Sequence, residues 1–218
     1  MPPTLDLGPD ELLTTTRAVR KRLDLDRPVP LEVVRECLEV ATQAPSGSNA
    51  QGWHFVIVTD EAKRAKLGEI YARAFDIYRN LPVAAGNTGY DDPERDATQA
   101  RVRSSAEYLA DVMGRAPVLL IPCVTGRVDN MPNVLSSSLL GSVIPAAWSF
   151  CLAARARGLG TSWTTLHLMF EQEAAELLGI PFAEITQTAL IPVAYTKGTD
   201  FKPAPRVSLD DIVHVDAW

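Results

Sequence analysis

The chain has 218 residues, enough for one large domain or two small ones. Its 46% apolar and 22% charged composition is ordinary for a soluble globular protein. The net charge of −6 argues against nucleic acid as the main partner, because a phosphate backbone needs clustered Lys and Arg. Cys37, Cys123 and Cys151 are far apart, odd in number and set among apolar residues. They read as buried thiols of a reducing, cytoplasmic compartment, not as a disulfide frame. His54, His167 and His214 share no ligand spacing with each other or with the cysteines, so no metal site is expected. The stretch Met1–Asp6 has no basic region followed by an apolar run, so no signal peptide is read there.

Glu11 to Leu23 reads as a helix, with Leu12, Thr16, Val19 and Leu23 on one stripe. Arg17 and Arg20 flank that stripe. They are either a solvated basic face or a pair of guanidiniums converging on one anion. A second helix spans Leu31 to Thr42, its buried stripe being Val34, Cys37, Leu38 and Ala41, and Pro45 ends it. Ala44 to Trp53 is a turn rich in Pro, Gly, Ser and Asn, with the amides of Asn49 and Gln51. Such a turn is either a connector or a loop that hydrogen-bonds a flat heteroaromatic ring or an anion.

Phe55 to Val58 reads as a buried central strand, and Thr59 or Asp60 as the cap of a helix from Glu61 to Arg79. Leu81 to Ala97, with Pro82, Gly86, Gly89, Pro93, Asp91, Asp92 and Asp96, reads as a lid or mobile loop. A helix is expected from Ala97 to Met113, then a buried strand over Ala116 to Val124 in which Pro122 argues against a fully mid-sheet place.

Val134 to Ala154 carries no charge over 21 residues. Its serines, glycine and Pro145 make it too polar for a membrane span, so it reads as a helix in the core or between subunits. Pro145 should kink it or mark a late start. Thr161 to Leu166 reads as a strand, Glu171 to Leu178 as a short helix ended by Gly179, and Ile185 to Tyr195 as one last strand. Asp210 to Val213 forms a final turn. No repeat or linker divides the chain, so residues 1–218 read as one domain.

No Walker loop, no G-x-S-x-G elbow and no acid–base triad is present. Gly158-Leu159-Gly160-Thr161-Ser162-Trp163 leaves a helix and enters a strand, the wrong order for a dinucleotide turn. What remains is dispersed: Arg17, Arg20, the amide-rich loop, the Thr-rich segment after Gly160, and Arg206. Three arginines and planar amide donors suit a mononucleotide.

Four stretches together resemble the nitroreductase family of FMN-dependent, NAD(P)H-using oxidoreductases: Thr16-Arg17-Ala18-Val19-Arg20; Ala44 to Trp53; Ala153 to Gly160 with Thr161 to Leu166; and Arg206. Thr16, Gly52 and Arg22 depart from the residues usual at those places. The resemblance implies an α+β fold, a central, mainly antiparallel sheet enclosed by helices, and an intertwined homodimer with FMN at the interface. It implies a ping-pong reaction in which NADH or NADPH reduces the flavin and a small aromatic acceptor, nitroaromatic or quinone, reoxidises it. It further implies that Arg17, Ala18, Arg20 and Arg206 hold phosphate, that Pro45, Ser46, Gly47, Asn49 and Gln51 meet ribityl or ring atoms, and that Thr164, Thr165 and Leu166 face the reactive edge of the flavin. Two other readings share these residues: a non-catalytic flavin-binding or sensing protein, and another enzyme such as a dehalogenase or flavin-consuming enzyme. No membrane partner is expected.

Overall fold

The computed structural model describes residues 4–218; Met1–Pro3, part of the N-terminal reading above, lie outside the described residues. Six helices and five strands make up the fold: α1 (Pro9–Thr15), α2 (Leu31–Ala41), β1 (Trp53–Val58), α3 (Glu61–Tyr78), α4 (Pro93–Val112), β2 (Val118–Thr125), α5 (Asn133–Ala156), β3 (Leu159–Thr161), α6 (Glu171–Leu178), β4 (Ile185–Gln187) and β5 (Ile191–Tyr195). The strands form one antiparallel sheet in the order β1-β2-β5-β3, with β4 beside β2. This is the α+β architecture the sequence implied.

β2 is central. Its side chains alternate, as a strand requires. Leu119, Ile121 and Cys123 enter a core against α3, α4 and α6, whereas Val118 and Leu120 enter a second core against α2 and α5. Pro122 is tolerated because it falls between two ladders. β4 pairs with Cys123–Thr125 and β5 with Val118–Leu120. The Pro122 carbonyl accepts from the Thr188 N–H at 2.9 Å, and no ladder bond needs the N–H it lacks. The same gap splits the expected strand Ile185–Tyr195 at Thr188–Leu190.

Several expectations are corrected. β1 is an edge strand, paired with β2 alone, and most of it is half-buried. α4 starts at Pro93, because Asp92 caps it by accepting from the Glu94 and Arg95 N–H groups and proline fits the first helical position. The connection after α3 is accordingly shorter than Leu81–Ala97. It is also tied down: the Asn87 amide donates to the Arg79 and Leu81 carbonyls, and the Ala85 N–H donates to the Tyr78 hydroxyl. α5 begins before Val134 and runs through Pro145, so proline marks no late start. α6 ends as expected at Gly179, whose φ of 71° is the left-handed cap that glycine adopts without strain.

α5 is long and apolar enough to cross a membrane, yet 44% of that window is buried within the fold. Its inner face, with Val143, Ala146, Ala147, Phe150, Cys151 and Ala154, packs into the core. Its other face leaves Val134, Leu135, Ile144 and Trp148 exposed.

Candidate functional site

α1 stops at Thr15, and the residues after it are not helical, which corrects the expected helix to Leu23. The chain is drawn into the sheet instead. Ala18 bridges Thr161, the Val19 N–H donates to the Thr161 carbonyl at 2.8 Å, and Leu23 bridges Thr196. Gly160 permits the approach, since a Cβ there would lie 2.7 Å from Thr196 Cγ2 and 3.0 Å from Val19. Thr16, Val19 and Leu23 are still buried, but by sheet bridges and turns.

This route presents Arg17, Arg20 and Lys21 on one side. Arg17 Nη1 donates to the Lys202 carbonyl at 2.9 Å. Arg20 Nη1 donates to Ser105 Oγ at 3.1 Å, and Lys21 Nζ to Ser104 Oγ at 2.8 Å. No carboxylate among the described residues pairs with any of these three cations or with Lys202. They line a cavity of about 350 Å³ together with Ala18, Phe201, Lys202 and the ion pair Arg22–Asp200, so five cations face one carboxylate there. In a chain of net charge −6, unpaired cations gathered at one cavity attract an anion. Burial depresses the Arg20 pKa, so a counter-anion there would relieve a desolvated charge.

Tyr71, buried on α3, is pushed up to about 12 by burial, with the Arg20 charge and a hydrogen bond with Thr164 opposing. Thr164 itself donates from Oγ1 to the Leu190 carbonyl, and its carbonyl accepts from the Leu190 N–H at 2.8 Å. The expected strand Thr161–Leu166 is thereby corrected: β3 ends at Thr161, Thr164 makes an isolated bridge, and Leu166–Phe170 is a 3-10 turn. Thr165 is exposed and Leu166 half-buried at the turn's start.

The amide-rich loop lies elsewhere. The Gly47 N–H donates to Ser142 Oγ at 2.9 Å, and a Cβ on Gly47 would meet Ser138 Oγ at 2.6 Å, so the loop rests on the middle of α5. Thr15, by contrast, is bonded to Arg155 near the end of α5. Ser142 and Arg155 stand ~20 Å apart at ~1.5 Å per helical residue. Among the described residues no hydrogen bond or ion pair joins the loop to the arginine cluster. Within the loop, Ser46 Oγ accepts from the Gln51 N–H at 3.0 Å and Gln51 Nε2 donates to Asn49 Oδ1 at 3.2 Å. Ser48, Asn49 and Gln51 have φ values of 53°, 54° and 51°. Three left-handed non-glycine residues in four positions are costly, and such strain concentrates where a loop must present groups to a ligand. Pro45, Asn49 and Gln51 are exposed.

Of the residues singled out in the sequence, Arg17, Ala18 and Arg20 share one cavity; Thr164, Thr165 and Leu166 do not line it; Pro45, Ser46, Gly47, Asn49 and Gln51 form a second, separate group. Arg206 joins neither: it is exposed and its Nη1 donates to the adjacent Pro205 carbonyl. Lys21, Ser105, Tyr71 and Lys202 were missed. Only Lys202, in a basic tail, carried a signal. A larger cavity of about 780 Å³ between α3 and the turn after α4 is lined by charges of both signs, and its Arg64 donors are taken by the Thr59, Gly114 and Ala116 carbonyls. It also holds Arg27, which has no carboxylate partner among the described residues but lies over the Tyr195 ring at 3.6 Å, and the acids Asp26, Glu61, Glu69 and Asp111 line it alongside.

The fold and site define an α+β protein with an antiparallel sheet, a cation-rich cavity beside the segment after α1 and an amide-rich loop beside its longest helix. The chain belongs to the nitroreductase family, whose model matches residues 13–195. It is 31% identical over 193 residues to a 4-nitrobenzoate reductase of Nocardioides sp., covering 79% of this chain and 74% of that protein. It is 28% identical over 212 residues to iodotyrosine deiodinase 1 of Rattus norvegicus, covering 93% of this chain and 67% of the relative. A crystal structure of oxidized iodotyrosine deiodinase bound to FMN and 3-iodo-L-tyrosine superposes with a TM-score of 0.70 at 26% identity, over 96% of this chain and 99% of the other.

Proposed function

We infer that the chain, residues 1–218 acting as one domain, is an FMN-dependent oxidoreductase that takes electrons from NADH or NADPH and passes them to a small aromatic acceptor in alternating half-reactions. The observation that carries this reading is the cavity lined by Arg17, Arg20 and Lys202, cations without carboxylate partners in an acidic chain. One cluster of cations suits the single phosphate of FMN better than the two of a dinucleotide. FMN when bound supplies an N5 that accepts and returns a hydride, the chemistry the protein itself lacks.

The residues of this chain bind and orient. Arg17, Ala18 and Arg20 hold the phosphate end, with Arg206 as an outer cation. Thr164, Thr165 and Leu166 offer backbone groups to the reactive edge, and the bonds of Thr164 to Leu190 keep that edge fixed. Pro45, Ser46, Gly47, Asn49 and Gln51 present amides and N–H groups to ribityl and ring atoms. Because that loop stands well away from the arginine cluster within one subunit, the two halves meet across a homodimer in which the exposed Val134, Leu135, Ile144 and Trp148 of α5 are covered. The buried free thiols are in keeping with a cytoplasmic protein.

The purified protein should be yellow and release FMN on denaturation. Anaerobic NADH or NADPH should bleach it, and a nitroaromatic should restore the colour. Bound FMN that neither nicotinamide reduces would leave a flavin-binding or sensing protein instead. The similarity to iodotyrosine deiodinase 1 supports a second reading, reductive dehalogenation, separated from the first by halide release from a reduced sample given a halophenol.

A further inference from the structure

The segment after β5, Lys197–Lys202, is a strap gripped by three arginines from two stretches, Arg17 and Arg22 after α1 and Arg155 near the end of α5. Arg22 Nε donates to the Lys197 carbonyl at 2.9 Å and Nη2 pairs with Asp200 Oδ1 at 2.5 Å. Arg155 Nη2 donates to the Thr199 carbonyl at 3.0 Å, and Arg17 Nη1 to the Lys202 carbonyl at 2.9 Å. All residues of the strap are exposed except Phe201, which is half-buried and packs against the α3–α4 core. Its ring lies between two guanidiniums: the central carbon of Arg22 is 4.3 Å from the ring centroid and that of Arg155 is 4.9 Å.

Arg155 makes the arrangement informative. It is only 4% exposed, no carboxylate pairs with it, and its Nε and Nη1 have no acceptor among the described residues. A buried cation without a counter-ion is costly. A ring face, one carbonyl and one hydroxyl are what surrounds it, so the Phe201 ring is a substantial part of its compensation. The strap is thus fixed at one apolar residue, and that residue adjoins the cavity of Arg17, Arg20 and Lys202.

We propose that Phe201, held between Arg22 and Arg155, is a positioning residue for phosphate recognition: it sets Lys202 at the cavity and, through the Lys202 carbonyl, the angle of Arg17. The proposal rests on the reading of this cavity as the holder of the FMN phosphate. A phosphate monoester is recognised by donors fixed in direction, whereas cations on a loose strap offer only a screened, diffuse charge.

The test compares FMN with riboflavin, which lacks the phosphate, by fluorescence titration of the full-length chain stripped of flavin. Phe201→Ala should weaken FMN by about 10-fold or more while riboflavin stays within about twofold, collapsing the preference for the phosphorylated flavin. Phe201→Leu keeps the apolar anchor and removes the ring face, and should lower the preference several-fold. Phe201→Tyr keeps both and should retain it, which guards against an alanine variant that fails to fold. Equal weakening of both flavins would show a merely structural residue, and an unchanged preference would show no role; either overturns the proposal. If the unaltered chain binds FMN no better than riboflavin, the reading of the cavity itself falls, and the proposal with it.

Discussion

The arginine cluster and the amide-rich loop are both turns, yet they are held in opposite ways. The cluster is rooted: Val19 is bonded to β3, Arg20 donates to Ser105 on α4, and Arg17 grips the strap. The loop rests on α5 through one N–H group and carries three left-handed non-glycine residues. On the function proposed above, a subunit presents the phosphate pocket by itself, while the loop proposed for the ring is strained and exposed. The difference teaches that the proposed site is divided: affinity for the anion would be a property of the subunit, and orientation of the ring a property of the assembly.

The strongest way to break this comparison is to attack the assembly. Ile144→Asp puts a charge on the exposed apolar face of α5, on the helix that carries the loop. The expected outcome is a monomer by sedimentation with flavin lost on gel filtration, although the arginine cluster is untouched. A monomer that keeps FMN tightly would show that one subunit suffices.

Acid is the next lever, and it acts on the rooted side. His167, just after Leu166, is fully buried with neither ring nitrogen hydrogen-bonded among the described residues, and burial pushes its pKa down to about 3. The unfolded chain takes up this proton near pH ~6.5, well before the folded one, so stability falls as pH drops from ~6.5 toward ~3 by at most ~1.4 kcal/mol per pH unit. His167→Phe should flatten that slope in urea titrations at pH 6 and pH 4.5. A slope unchanged by the substitution would place acid sensitivity elsewhere.

These cases also show what the sequence could convey. β2 and α6 were legible because their signals are local: a continuous apolar run in one, Gly179 after the last turn in the other. Thr16, Val19 and Leu23 were correctly read as buried and wrongly read as helical, since their spacing cannot show that the Val19 N–H belongs to Thr161, far along the chain. β1 looked central because an apolar edge and an apolar centre have the same composition. Asp92-Pro93 did carry a helix start, a capping acid before a first-turn proline, and the polar run around it obscured the signal. Within the site, Arg17, Arg20 and the loop were legible as residue types at short spacing. Lys21, Ser105 and Tyr71 were not, because only the approach of α3 and α4 gives them partners.

Arg20→Ala and the pair Asn49→Ala, Gln51→Ala sharpen the division. A charge-assisted hydrogen bond contributes roughly 1.5–3 kcal/mol, so Arg20→Ala should weaken FMN by on the order of 10- to 100-fold. It should leave riboflavin almost unchanged. The loop variants should weaken both flavins alike, each by a few-fold, since neutral amide bonds contribute about half as much. The reverse pattern would exchange the roles given to the two regions.

Arg206→Ala is the smallest effect and the most discriminating, because the sequence and the structure weigh this residue differently. Its place after Pro203 and Pro205 resembles that of a phosphate-binding arginine, which implies a loss as large as that of Arg20→Ala. In the structure Arg206 is exposed, bonded to its neighbour Pro205, and not in contact with the cavity. An exposed cation acts through solvent and contributes at most about 1 kcal/mol, so the loss of FMN affinity should be no more than about 5-fold. The charge then acts at a distance, and ~0.5 M salt should erase the loss, while the loss from Arg20→Ala survives in part because that cation is half-buried. A loss beyond 10-fold that salt does not touch would mean that the tail moves Arg206 onto the phosphate when FMN binds. An unchanged dissociation constant at low salt would remove Arg206 from the site and leave Arg17, Arg20 and Lys202 to hold the anion.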